Sequence, residues 1–151
     1  SKQAVLWRQL SNTRMLPFYD VLQWPENHPR SCLVSPWMVN GNILQYLESN
    51  PQGDRRSQVL DAARGLKYLH TFDPSIIHRN LKGISNQACI TGFSFHVSSV
   101  KLEPTAGANR SAALRWLAPE LLRYQEIGKE KEHKTLASDV YAFACACYEV
   151  R

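Results

Sequence analysis

The chain has 151 residues, 44% of them hydrophobic and 21% charged, which fits one modest folded domain and excludes a disordered one. Eighteen Lys and Arg against 13 Asp and Glu give a net charge of +5; the excess is spread along the chain, without the clustering expected of a nucleic-acid footprint. The longest apolar run, from Val140 to Tyr148, is too short to span a bilayer, and no basic-then-apolar leader marks the chain for secretion.

In chain order, Leu6 and Leu10 share a face with Ala4 and Trp7 beside it, so a short helix is predicted over 3–10. Two short apolar runs, 17–21 and 31–35, flank the turn-rich stretch Trp24-Pro25-Glu26-Asn27-His28-Pro29 and read as a two-stranded element. Gly41 precedes a second short helix over 43–48, ended by Asn50-Pro51. The strongest helical pattern comes next: Val59, Ala62, Ala63, Leu66, Leu69 and His70 recur at helical spacing after Asp54, a suitable N-cap. Extended pieces at 76–77 and 88–91 flank a polar loop, and 92–115, small, polar and aperiodic, reads as a long loop. Pro119 opens a short helix, and 136–150 reads as a buried one. The densest charge run, Lys129 to Lys134, alternates in sign and reads as solvated surface. A few strands followed mostly by helices point to an α+β, mainly α domain.

The four cysteines, Cys32, Cys89, Cys145 and Cys147, form no paired CxxC knuckles, which argues against a zinc site. Free thiols suit a reducing compartment, and a cytoplasmic location is expected. The chain starts at Ser1 without a methionine and stops at Arg151 straight after an apolar helical pattern, which reads as a fragment.

Five ordered motifs carry a resemblance. Ile76-Ile77-His78-Arg79-Asn80-Leu81-Lys82-Gly83 resembles the catalytic loop of eukaryotic protein kinases. Leu33 to Gly41 is similar to the hinge between kinase lobes, and Ala63 to His70 to the helix before the catalytic loop. Arg115-Trp116-Leu117-Ala118-Pro119-Glu120 resembles the Ala-Pro-Glu segment that closes the activation loop, and Ser138 to Phe143 the start of the central helix of the large lobe. With Leu16-Pro17-Phe18-Tyr19 and Trp37-Met38, the flavour is closest to tyrosine-kinase-like kinases, including fungal ones. The resemblance implies a partial protein-kinase-like fold: a small-lobe remnant over 1–35, a hinge over 36–41 and a large-lobe portion over 42–151.

Phosphoryl transfer requires a carboxylate for the substrate hydroxyl, and oxygen ligands to hold Mg²⁺ against the phosphates. The resemblance puts Asn80 where the first carboxylate stands, and an amide cannot act as a base. Lys82 keeps its place. Ser85 occupies the position of the metal-binding asparagine, with Asn86 next to it. Gly92, before Phe93, occupies that of the metal-binding aspartate. A count independent of alignment agrees: no Asp or Glu occurs from Pro74 to Leu102, while Arg79, Lys82 and Lys101 make the window +3. Hard divalent cations take oxygen ligands, usually carboxylates, so this window is poorly suited to hold them. Gln3 falls where the helix glutamate that pairs with the catalytic lysine would stand.

By the same resemblance, Met38 is the hinge residue whose backbone would meet adenine, a weak nucleotide contact with the upper sheet missing. His78, Arg79, Phe93, Pro119, Glu120 and Asp139 are structural motif residues. Trp37 and Trp116 read as packing residues. The expectation is a pseudokinase, with no phosphotransfer, no metal and no cofactor, acting if at all as a protein-binding or scaffold module in signalling, without nucleic acid or membrane. The competing expectation is an active ATP-dependent Ser/Thr or Tyr kinase whose small lobe lies outside this chain.

Overall fold

The computed structural model describes residues 2–23, 31–81, 96–97, 114–126 and 134–151. Helix α1 (Lys2–Gln9) leads to an antiparallel ribbon of β1 (Asp20–Gln23) and β2 (Ser31–Val34), followed by α2 (Ile43–Ser49) and the long α3 (Arg55–His70). Strand β3 (Ile76–Ile77) pairs antiparallel with β4 (His96–Val97). A 3-10 turn (Leu114–Trp116), α4 (Pro119–Glu126) and α5 (Leu136–Glu149) complete a mixed α+β, mainly helical architecture.

Local chemistry sets the helix starts. Asp54 caps α3, its carboxylate accepting from Ser57 N at 3.1 Å. Asn42 caps α2 in a reciprocal box: its Oδ1 accepts from Gln45 N at 3.0 Å, and Gln45 Oε1 accepts from Asn42 N at 2.9 Å. The residue before that cap, Gly41, stands at φ +69°, where a Cβ is costly.

The core is organised along α3. Trp7, Met15, Leu16, Leu66, Leu69, Ile76, Leu81 and Ala142 form one buried cluster; Ile43, Leu47, Ala62, Ala146 and Val150 form a second, and Phe143 packs against both. Each fully buried Leu or Ile contributes about 1.5–3 kcal/mol relative to exposure. Trp7 is fixed further by its indole N–H, which donates to Leu16 O at 2.7 Å.

Several sequence expectations change. The first strand begins at Asp20 rather than Pro17, which has no N–H for a ladder. The stretch 92–115 is not loop throughout: it supplies β4 and opens the 3-10 turn, both too short for a periodic signal. Helix α5 is not buried all round. Ala142, Ala146 and Val150 face inward, whereas Val140 and Tyr148 are exposed, because the small-residue side is the one that packs toward α2 and α3. Trp37 is 86% exposed and packs into no core here; its chain neighbour Met38 points to the first cluster instead. The expected extended piece at 88–91 lies outside the described residues. No helix among the described residues is long and apolar enough to cross a membrane.

Candidate functional site

The polar centre of the molecule is a four-residue loop, His78 to Leu81, held at both ends by apolar burial. Ile76 and Ile77 are buried before it and Leu81 after it. Against this loop stands the first turn of α5, whose Thr135 cap accepts from Ser138 N at 3.1 Å while Ser138 Oγ accepts from Thr135 N at 2.9 Å. That box orients the next residue, Asp139, whose side chain is 2% exposed.

Asp139 is saturated by the loop. Its Oδ2 accepts from the backbone N–H of His78 at 2.6 Å, and its Oδ1 from that of Arg79 at 2.9 Å. His70 Nε2, at the end of α3, lies 3.1 Å from Oδ2. One buried carboxylate therefore ties three elements together, and charge-assisted hydrogen bonds of this kind are among the stronger ones in proteins. Arg79 has φ +67°, the left-handed region that costs a non-glycine residue about 1–3 kcal/mol. The conformation is held from both sides: its N–H is taken by Asp139, and its carbonyl accepts from Lys134 Nζ at 2.8 Å. His78, fully buried, accepts from Asn80 N through Nδ1 at 3.3 Å.

Asn80 is half-buried in this turn, with an amide at the loop position that the sequence marks. The space beside it, lined by Asn80, Trp116, Lys134 and Asp139 among others, is about 40 Å³, room for water and not for a nucleotide. Among the described residues, Asp139 is the carboxylate that lines this space, and both its oxygens are already engaged with donors. Trp116 packs on the first cluster and donates from Nε1 to Glu149 Oε2 at 3.1 Å, with Arg115 Nη1 3.8 Å from Oε1, which docks the 3-10 turn on α5. Pro119 opens α4, where Glu120 is exposed; Gln3 is half-buried on α1. Met38 lines a separate open groove of about 860 Å³ with Gly41, Tyr46 and Trp37. Lys82, Ser85, Gly92 and Phe93 lie outside the described residues.

Two participants were missed in the sequence. His70 completes an apolar stripe on α3 and was counted with it; its position at the last buried step of a helix was the available signal for a polar partner. Lys134 closes a run read as solvated surface, yet it is half-buried and bonds to the loop.

A mixed, mainly helical chain whose polar loop is pinned to a buried aspartate, with five kinase-like motifs in order, is of the protein-kinase class. The family model for protein tyrosine and serine/threonine kinases matches residues 1–151, and the chain belongs to that family. The serine/threonine-protein kinase CTR1 of Arabidopsis thaliana is 26% identical over 160 residues, covering 99% of this chain and 18% of that protein. The serine/threonine-protein kinase-like protein CCR4 of the same plant is 32% identical over 154 residues, 91% of this chain and 18% of that protein. The dual specificity protein kinase splA of Dictyostelium discoideum is 28% identical over 144 residues, 79% of this chain and 6% of that protein. The chain thus spans under a fifth of the length of each of these three relatives. Its fold is a partial protein-kinase-like one.

Proposed function

We propose that this chain is a protein-kinase-like domain without phosphotransfer activity, a pseudokinase of tyrosine-kinase-like flavour that serves as a protein-binding module in cytoplasmic signalling. In this reading residues 1–35 are a small-lobe remnant, 36–41 the hinge and 42–151 the large-lobe portion. The observation that carries it is Asn80: the catalytic-loop position that requires a carboxylate holds an amide, and the carboxylate beside it, Asp139, is committed to backbone donors. An amide can orient a hydroxyl but supplies no negative charge and accepts no proton at neutral pH. Ser85 and Gly92 extend the same loss to the metal-binding positions, within a window of +3 that has no acidic residue. The groove at Met38 is open to water, whereas tight small-molecule sites enclose most of their ligand.

The test is a thermal melt with and without millimolar Mg·ATP, beside an assay for transfer of the γ-phosphate to a protein substrate. A ligand at about 100 times its Kd adds about 2.7 kcal/mol, which moves the midpoint of a domain this size by about 5–10 °C. The expected result is a cooperative transition that Mg·ATP leaves in place, and no transfer. Robust transfer by the chain within its parent protein overturns the proposal. It would establish the second reading, an active Ser/Thr or Tyr kinase whose small lobe lies elsewhere, which is favoured by the kinase names of the relatives.

A further inference from the structure

Helix α3 puts its two faces to different uses. Ala62, Gly65, Leu66 and Leu69 are buried. At about 100° per residue, the other side carries Arg56, Leu60, Arg64 and Lys67, spaced i, i+4, i+8 and i+11 within an arc of about 80°. All four are exposed, and Leu60 keeps 49% of its surface in solvent. The stripe runs for about 16 Å, three helical turns. The helix has four cationic residues, Arg55, Arg56, Arg64 and Lys67, against one acid, Asp61; four less one leaves +3, a local concentration within the basic excess that the sequence reads as evenly spread.

Asp61 does not discharge the stripe. It sits beyond the edge, with Arg14 Nε at 2.8 Å and Arg64 Nη1 at 3.2 Å from the same oxygen, so one carboxylate is shared by two guanidinium groups. Among the described residues, Arg56 and Lys67 have no carboxylate within ion-pair distance. The result is a narrow cationic strip with a leucine at its middle, on the side of α3 opposite its buried face.

We infer that this strip is a docking face for an acidic, amphipathic helix of a partner protein, about three turns long, whose carboxylates meet Arg56, Arg64 and Lys67 and whose apolar side chain seats on Leu60. The inference rests on the binding-module reading and gives that module its surface and the chemistry of its partner. Charge complementarity selects an acidic occupant. The central leucine selects a protein segment over a nucleic acid, since it offers nothing to a phosphate backbone and Asp54 and Asp61 flank the strip. A single exposed leucine is also too little for a membrane surface, where interfacial helices bury a broad apolar face.

The probe is a synthetic helical peptide of about 18 residues, with glutamates in one stripe around a leucine, its binding to the full chain read by fluorescence anisotropy. Expected are saturable binding, a loss of about tenfold or more in the variant Arg56→Gln/Arg64→Gln/Lys67→Gln, and a similar loss for the peptide with glutamine in place of glutamate. Binding is also expected to weaken as salt rises from about 0.1 M to about 1 M, where the Debye length falls from about 10 Å to about 3 Å. The glutamine peptide reads the same charge dependence on the unaltered chain, whatever the triple variant does to folding. The inference is overturned by absent binding, by affinity that ignores both the variant and the glutamine peptide, or by tighter binding to duplex DNA or phosphatidylserine vesicles than to the peptide. A γ-phosphate transfer assay on the same preparation separates the two proposals. Transfer with peptide binding intact overturns only the non-catalytic reading, and an inactive chain that ignores the peptide overturns only the docking face.

Discussion

Replacing Asp139 with alanine removes the acceptor of two backbone N–H groups, at 2.6 and 2.9 Å, and the partner of His70 at 3.1 Å. Hydrogen bonds to a charged group are worth about 1.5–3 kcal/mol each, and a buried donor left unsatisfied costs about 1–3 kcal/mol. The three are not additive because they share one carboxylate, so the expected loss is about 3–5 kcal/mol, in the range for breaking a buried polar pair. That is a large part of the 5–15 kcal/mol typical of a whole domain. It corresponds to a fall of about 6–20 °C in Tm for a chain of this size. Asp139→Asn keeps the shape and one acceptor oxygen, and is expected to cost about half as much. Urea denaturation of the parent and both variants measures the differences. A second arm, His70→Phe alone and with Asp139→Ala, closes a double-mutant cycle with an expected coupling of about 0.5–3 kcal/mol. An Asp139→Ala chain within about 1 kcal/mol of the parent would refute the assignment of Asp139 as the tie between loop and helix.

Gly41→Ala places a methyl group against the Gln45 side chain at a backbone φ of +69°. Strain and the lost capping box together are expected to cost about 2–3 kcal/mol in urea melts, with faster amide exchange in the first turn of α2. The Arg14 guanidinium bonded to Asp61, aided by Arg64, holds the carboxyl of Asp61 below its usual range of about 3.8. A depressed folded-state value means a stabilising contribution that is present above about pH 4 and lost as the pH falls through the lowered value. Arg14→Gln is therefore expected to flatten the acid limb of the stability profile below about pH 4. A variant that keeps the full acid dependence of the parent would assign that limb to other carboxylates.

The helices were legible because their signals are local. Asp54 before the stripe of Ala62, Leu66 and Leu69 announced α3, and Asn50-Pro51 announced the end of α2. The turn-rich stretch between two apolar runs announced the β1–β2 ribbon, with the start displaced by Pro17. What escaped depends on pairing across the chain. The two-residue ladder of Ile76-Ile77 with His96-Val97 has no period to detect. The one-sided burial of α5 follows from which neighbours it meets, since its middle, from Val140 to Tyr148, has no polar residue to mark an outer face. At the site, the motif order located His78, Arg79, Asn80 and Asp139. The parts played by His70 and Lys134 came from tertiary placement, since one sits in an apolar stripe and the other in a charged run. Trp37 shows the opposite error: a large apolar side chain invites a core assignment that the backbone at the turn 36–40 does not honour.

The hydrogen bond between His78 and Asp139 spans 61 residues of sequence, and that separation has a kinetic consequence. Contacts so far apart form late, because the entropy of closing the intervening chain must be overcome before they contribute anything. On a ribosome adding about 5–20 residues per second, the peptide groups of His78 and Arg79 wait roughly 3–12 s for their acceptor to be made. Through that interval the left-handed turn at Arg79 has nothing to hold it, and its amides stay hydrated. The loop is therefore expected to take its shape only once α5 has been made, the same helix that supplies Ala142 and Ala146 to the two core clusters.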